Sequence, residues 1–248
     1  MAGVDSAATQ QAFAALVGAS FATSLISAAV GLGGGVALLA LLAALLPPAA
    51  LIPVHGMVQL GSNAGRAAIM ARHVDRRALI PFFGGAALGA LAGGAMVVDL
   101  SPHWVQIGVG AFILWSIAAR PPAFFRRAAA PTGAISSFLS MFFGATGPFV
   151  AAYVRALGLD RLGVVATHAA FMTAQHLLKT LAFGLFGFAF AAYLPLIAAM
   201  LAAGFAGTVA GKRMLMRLPE ARFRLALNAI LIALALRLLW NGVQGAAS

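Results

Sequence analysis

Two histidines are each followed, eleven residues later, by a basic residue: His55 by Arg66, and His168 by Lys179. At about 100° per residue, offsets of 4, 7, 8 and 11 share one face of a helix. From His55 that face carries Gln59, Ser62, Asn63 and Arg66; from His168 it carries Met172, Gln175, His176 and Lys179. A row of imidazole, amide, hydroxyl and cation supplies hydrogen-bond donors and positive charge, the equipment for holding an oxyanion. Both rows lie in apolar surroundings. A Lys or Arg at the centre of a membrane helix costs about 2.5–3.5 kcal/mol on insertion scales, so something should offset it. The five acids, Asp5, Asp75, Asp99, Asp160 and Glu220, all fall in expected loops or at segment ends. The missing negative charge is therefore expected on a passing solute, a small anionic substrate.

Two glycine-bearing breaks fit the same chemistry. Gly33, Gly34 and Gly35 open one short apolar segment, and Thr146, Gly147 and Pro148 open another. Backbone N–H groups at a helix start carry partial positive charge and bind oxyanions. The glycines let an anion approach the main chain, and the Thr146 hydroxyl can donate a hydrogen bond. Other readings of these residues are structural. Arg66 and Lys179 could snorkel to headgroups, the histidines could join helices, and the glycines could serve close packing. Arg237 reads as a snorkelling anchor, and His73 and His103 fall in loops without a role.

The elements that must position these residues are membrane helices. The chain of 248 residues is 62% hydrophobic and 8% charged, far below the quarter or so charged residues of a soluble domain. Apolar segments of roughly 17–25 residues span a bilayer. The spans read as 11–30, 35–46, 54–70, 78–98 and 104–119, then 133–147, 148–158, 163–186, 191–211 and 221–240. Segments 35–46 and 148–158 are too short to cross comfortably and are expected as broken or re-entrant helices. No cysteine is present, which excludes disulfides and thiolate metal sites. No basic n-region precedes the first apolar run, so it is expected to stay as a membrane helix. No metal site, cofactor or catalytic group is read. G-x-S-x-G, H-E-x-x-H and an intramembrane acid are all missing, which argues against an enzyme.

A shift of 113 positions places Gly31 on Gly144, Gly34 on Gly147, His55 on His168, Arg66 on Lys179 and Gly94 on Gly207. Most cations lie in four short stretches: Arg72, Arg76 and Arg77; Arg120, Arg126 and Arg127; Arg155 and Arg161; and Lys212, Arg213, Arg217, Arg222 and Arg224. The connections L-P-P-A-A-L-I-P, D-L-S-P-H and F-A-F-A-A-Y carry none. Basic loops stay cytoplasmic, which accounts for the formal charge of +11 through topology and lipid rather than nucleic acid. The basic A-R-H-V-D-R-R matches the uncharged G-L-F-G-F-A-F, so equivalent loops face opposite sides. The expected architecture is all-α and polytopic, with two inverted five-segment repeats and both termini outside. Residues 1–120 form the first repeat, 121–132 a cytoplasmic linker and 133–248 the second. Inversion makes the two polar helices antiparallel, with His55 level with Lys179 and His168 level with Arg66.

These motifs carry a resemblance. G-L-G-G-G and P-V-H-G-M-V-Q-L-G-S-N-A-G-R resemble the first half of the TauE/SafE family of membrane anion exporters. G-A-T-G-P, V-A-T-H and H-L-L-K-T-L-A-F-G-L-F-G-F resemble its second half, so the likeness covers about residues 11–240. It implies movement of sulfite, sulfonates or related organosulfur anions across the bacterial cytoplasmic (inner) membrane. Members are described with fewer spans than the ten segments read here, the two short helices making the difference. The expected function is a secondary transporter working by alternating access at a midplane site. Any proton coupling would fall to His55, His168 or His176, or to the substrate itself. A passive anion channel and a carrier of another small organic anion are the alternatives. The lipid bilayer is the expected partner, no nucleic acid is, and a homo-oligomer is compatible with this reading.

Overall fold

The computed structural model describes residues 6–30, 33–97, 101–118, 128–214 and 220–247. Gly31, Asp5, Asp99, Arg120, Arg126, Arg127 and Arg217 lie outside them. Among the described residues there are ten α-helices and no strand: α1 (Ser6–Val30), α2 (Gly34–Leu45), α3 (Pro48–Ile69), α4 (Leu79–Val97), α5 (Pro102–Ala118), α6 (Ala129–Phe143), α7 (Gly147–Ala156), α8 (Arg161–Leu185), α9 (Leu194–Met214) and α10 (Glu220–Ala247). The ten expected segments are all present, α2 and α7 being the short ones.

Several boundaries differ from expectation. Helix α3 starts at Pro48, because a proline at the first helical position forfeits no internal hydrogen bond. The stretch L-P-P-A-A-L-I-P is thus mostly the first turns of α3 rather than a connection. Helix α6 begins at Ala129, which takes four residues from the expected linker. It also stops at Phe143, where Gly144 turns the chain at φ 79. Gly33 makes the other break at φ 96, a backbone region that costs a residue with a Cβ roughly 1–2 kcal/mol. Helix α10 runs on to Ala247, and Arg237 is exposed along it. The start of α8 is fixed by Asp160, whose carboxylate accepts from Gly163 N at 2.7 Å.

The burial pattern is that of a protein surrounded by lipid. Ile80 is 83% exposed and Leu185 78%, while Lys179 is 0% exposed. A water-soluble fold would invert this. Three helices, spanning Gln10–Ala29, Leu79–Val97 and Phe190–Arg213, are long and apolar enough to cross a membrane on length and composition alone. Helices α3 and α8 have the length but not the uniform apolarity, because each carries its polar stripe.

Small residues set the helix pairing. On α4, Gly85, Gly89 and Gly93 lie against the backbone of α6 at Ala130, Ala134 and Phe138, so these two helices run parallel. On α9, Gly207 and Gly211 lie against Phe21 and Leu25 of α1 in the same sense. Such contacts bring backbones within dispersion range where lipid offers no hydrophobic drive. Moving each helix to its counterpart 113 residues away exchanges the α1–α9 contact with α4–α6, and α3–α9 with α4–α8. The α3–α8 and α5–α10 contacts map onto themselves.

Arg72, Arg76, Arg77, Arg161 and Lys212 gather at one end. Arg161 donates to Ala29 O at 3.2 Å and Lys212 to Ile69 O at 3.1 Å, joining the ends of α1, α3, α8 and α9. Exposed Arg72, Arg76 and Arg77 follow α3 at the same end.

Neighbouring glycines on α4 test this packing. A Cβ on Gly84 meets nothing within 4 Å, whereas one on Gly85 falls 2.0 Å from Ala130 O. Gly84→Ala should leave thermal stability in detergent unchanged or slightly raised, since alanine is the better helix former. Gly85→Ala should lower stability by about 1–3 kcal/mol or more through overpacking against backbone. Equal melting temperatures for the two variants would contradict the α4–α6 contact.

Candidate functional site

Helices α3 and α8 pack together in the antiparallel sense expected. A Cβ on Gly56 would lie 3.1 Å from Lys179 Cε, and Met70 packs with Val165 and Ala166 toward the other end. His55, next to Gly56, is therefore level with Lys179. His168 is level with Arg66, one turn before Met70. The imidazoles of His55 and His176 meet edge to face with ring centroids 5.8 Å apart. Between the two levels lie Gln59, Ser62, Asn63, Gln175 and His176. Apart from Met172, which is buried and apolar, the two predicted stripes thus face each other across the centre of the bundle.

Both cations are buried, Arg66 at 3% exposure and Lys179 at 0%, so neither snorkels to a headgroup. Lys179 Nζ donates to Gly144 O at 2.7 Å, the carbonyl at the C-terminal end of α6. That end carries the negative pole of the helix dipole and partly offsets the ammonium. Arg66 donates to Asn63 Oδ1, and its Nε finds no protein partner. Asn63 Nδ2 in turn donates to Gln59 O at 2.8 Å and to Gln59 Oε1 at 3.0 Å. The two acids whose side chains are described, Asp75 and Asp160, sit in the turns before α4 and α8, bonded to backbone N–H groups of Arg77 and Gly163. Among the described residues, the partners of both charges are neutral dipoles rather than carboxylates.

The histidines fasten the broken helices. His55 Nε2 lies 2.9 Å from Gly35 O and His168 Nε2 lies 3.2 Å from Gly147 O. A carbonyl only accepts, so these nitrogens carry the hydrogen and donate. The structural reading of both histidines is met, and each Nδ1 is left without a protein partner, as is that of His176. Gln175 Nε2 donates to Thr146 Oγ1 at 2.8 Å, and Ser136 Oγ donates to Gln175 Oε1 at 3.1 Å. Thr146 Oγ1 spends its hydrogen on Ser136 O at 2.9 Å, so this hydroxyl is committed to the fold. Neither Gly33 nor Thr146 caps its helix through a side chain. Gly35 adjoins the Gln59 amide and Gly147 the His168 ring, while Gly34 is pressed against Thr23 O of α1 and serves packing.

A further set of polar residues belongs to this centre. Thr23, Ser24 and Ser27 on α1 and Ser136, Ser137 and Ser140 on α6 are all buried. Ser24 and Ser62 share a hydrogen bond of 2.9 Å, joining α1 to the α3 stripe. The Ser137 hydroxyl has no protein partner. The signal was in the sequence: T-S-L-I-S and S-S-F-L-S stand at the same 113-residue shift as the histidines. Ordinary hydroxyls in a helix often bond their own preceding turn, which is why they draw less attention than cations. Ser140 and Thr23 do so here. Beside the Lys179 level a cleft lined by Ile52, Pro53, Phe183 and Phe186 opens at the end opposite the basic cluster. Among the described residues no three metal-ligating side chains converge.

The hydrogen-bond geometry separates structural from unpaired groups. Gln175→Leu removes the amide that donates to Thr146 and accepts from Ser136, and losing both bonds should cost about 1–3 kcal/mol in thermal unfolding. Lys179→Met removes a buried charge while keeping the side chain's length. It should leave stability equal or higher, as often happens when buried ionic groups become apolar. A loss of stability in Lys179→Met as large as in Gln175→Leu would make the ammonium a structural group.

None of the curated proteins and none of the solved structures matches the chain. A family model described as "Sulfite exporter TauE/SafE" matches residues 16–238, the whole polar centre and all the helices around it but the outer ends of α1 and α10. The chain belongs to the TauE/SafE family of sulfite exporters.

Proposed function

We propose that this protein is a secondary transporter that exports a small sulfur-containing anion, such as sulfite or a sulfonate. Family membership supports the class of cargo. The observation that carries the reading is the burial of Arg66 and Lys179 among neutral dipoles, with unbonded donors beside them. Lipid cannot solvate such groups, and a buried ion without a counter-ion is costly. Oxyanion cargo held at these cations supplies the negative charge they need. Arg66 and Lys179 hold the charge, Gln59, Asn63 and Gln175 orient the oxygens, and the helix starts at Gly33–Gly35 and Thr146–Gly147 approach with backbone N–H groups.

In this proposal the two halves are inverted repeats, and α3 and α8 meet on the axis that relates them. Rocking of one half against the other gives alternating access. Support comes from the exchange of helix contacts under the 113-residue shift and from the antiparallel register of α3 and α8. The basic end faces the cytoplasm of a bacterial inner membrane, which leaves both termini outside. The apolar cleft beside Phe183 and Phe186 then opens outward. The work is transport rather than catalysis.

Purified protein in liposomes preloaded with sulfite tests this. Wild type should show saturable efflux and counterflow, in which external unlabelled sulfite drives labelled sulfite against its gradient. Arg66→Gln and Lys179→Met should each lower efflux at least ~10-fold, equivalent to losing about 1.4 kcal/mol. Efflux without counterflow would identify a passive channel, and unchanged efflux in both variants would refute the site.

A further inference from the structure

Resting on that functional reading, we infer that the protein holds two anions at once, one at each buried cation, rather than a single anion clasped by both. The register of α3 and α8 carries this. Lys179 stands at the level of Gly56, and Arg66 is ten residues further along α3. At 1.5 Å per residue, the two attachment points are about 15 Å apart along the bundle. Arg66 reaches back one turn to Asn63, which still leaves it about 10 Å from the level of Gly56. A sulfur oxyanion is only a few ångströms across, so it cannot bond both.

Each level also has its own equipment, contributed by both halves. At one level stand Lys179 from α8 and His55 from α3, with Gly144 and Gly35 at the helix breaks beside them. The Thr180 hydroxyl, within 4 Å of where a Cβ on Gly56 would stand, is buried there without a protein partner. At the other stand Arg66 from α3 and His168 from α8, with Asn63 and Gly147 beside them. There the buried, unpartnered Arg66 Nε–H is the free donor. Between the levels lie the amides of Gln59 and Gln175 and the ring of His176, none of which carries a fixed charge. Two stations separated by neutral donors suit an anion that is handed from one cation to the next. A second anion arriving at the vacated station repels the first and weakens its hold, as in multi-ion conduction.

Equilibrium binding of radiolabelled sulfite to purified protein, under anaerobic conditions and at constant ionic strength, decides the matter. Wild type should bind two sulfites per chain, Arg66→Gln one and Lys179→Met one. The charge-keeping variants Arg66→Lys and Lys179→Arg should retain two. A wild-type stoichiometry of one overturns the inference while leaving the anion reading intact, and that number needs no variant to fold. Wild-type binding of two that is wholly abolished by either neutral substitution also overturns the independence of the stations. No binding of sulfite or of methanesulfonate to wild type overturns the functional reading itself and this inference with it.

Discussion

Two positive charges in a helix-packed interior, with no carboxylate among the described side chains to meet them, set the terms for the rest of this molecule. An isolated cation moved out of water forfeits several kcal/mol of hydration, even after relaxation and water penetration. The chain recovers part of this with dipoles. The carbonyl of Gly144, at the end of α6, accepts from Lys179, and the amide of Asn63 accepts from Arg66. The first of these acceptors exists because the break at Gly144 leaves a main-chain carbonyl free inside the bundle. A continuous helix through Gly144 would direct that carbonyl along its own axis. The break between α6 and α7 is thus the means by which uncharged backbone reaches Lys179.

The same breaks must be held in place, and the histidines and Gln175 do this. His55 and His168 each tie the first turn of a short helix to a long one, while Gln175 binds the hydroxyl of Thr146 before α7. The glycine contacts of α4 with α6 and of α9 with α1 press the outer helices together around this centre. Packing, capping and charge therefore depend on one another. Among the buried groups left unbonded are the Arg66 Nε and the hydroxyls of Ser137 and Thr180, which the proposed function assigns as donors open to a ligand.

Much of this was legible in the sequence, for physical reasons. A polar stripe at helical spacing in apolar surroundings can only face inward, so the placement of His55, Gln59, Asn63, Arg66, Gln175 and Lys179 followed from periodicity. The antiparallel levels of His55 with Lys179 followed from the signs of the loops. Other features depend on partners distant in sequence. That Thr146 gives its hydrogen to Ser136 O, and that Gly34 is wedged against Thr23 O, are facts of packing which local pattern does not encode. The start of α3 at Pro48 was missed because two prolines in a row read as a loop, although one of them begins the helix. The hydroxyl stripes of α1 and α6 stand at the same 113-residue shift but are chemically quiet.

The central claim is that the two cations are held ready for an anion, and ligand-linked stability tests it most directly. Thermal unfolding of the purified protein should be followed against sulfite concentration, with ionic strength held constant by an inert salt. Binding to the folded state alone adds about 2.7 kcal/mol at a hundred times the dissociation constant. The account predicts a saturable rise in melting temperature for wild type and none for the double variant Arg66→Gln/Lys179→Met. A flat wild-type profile, or the same rise in the double variant, would contradict it.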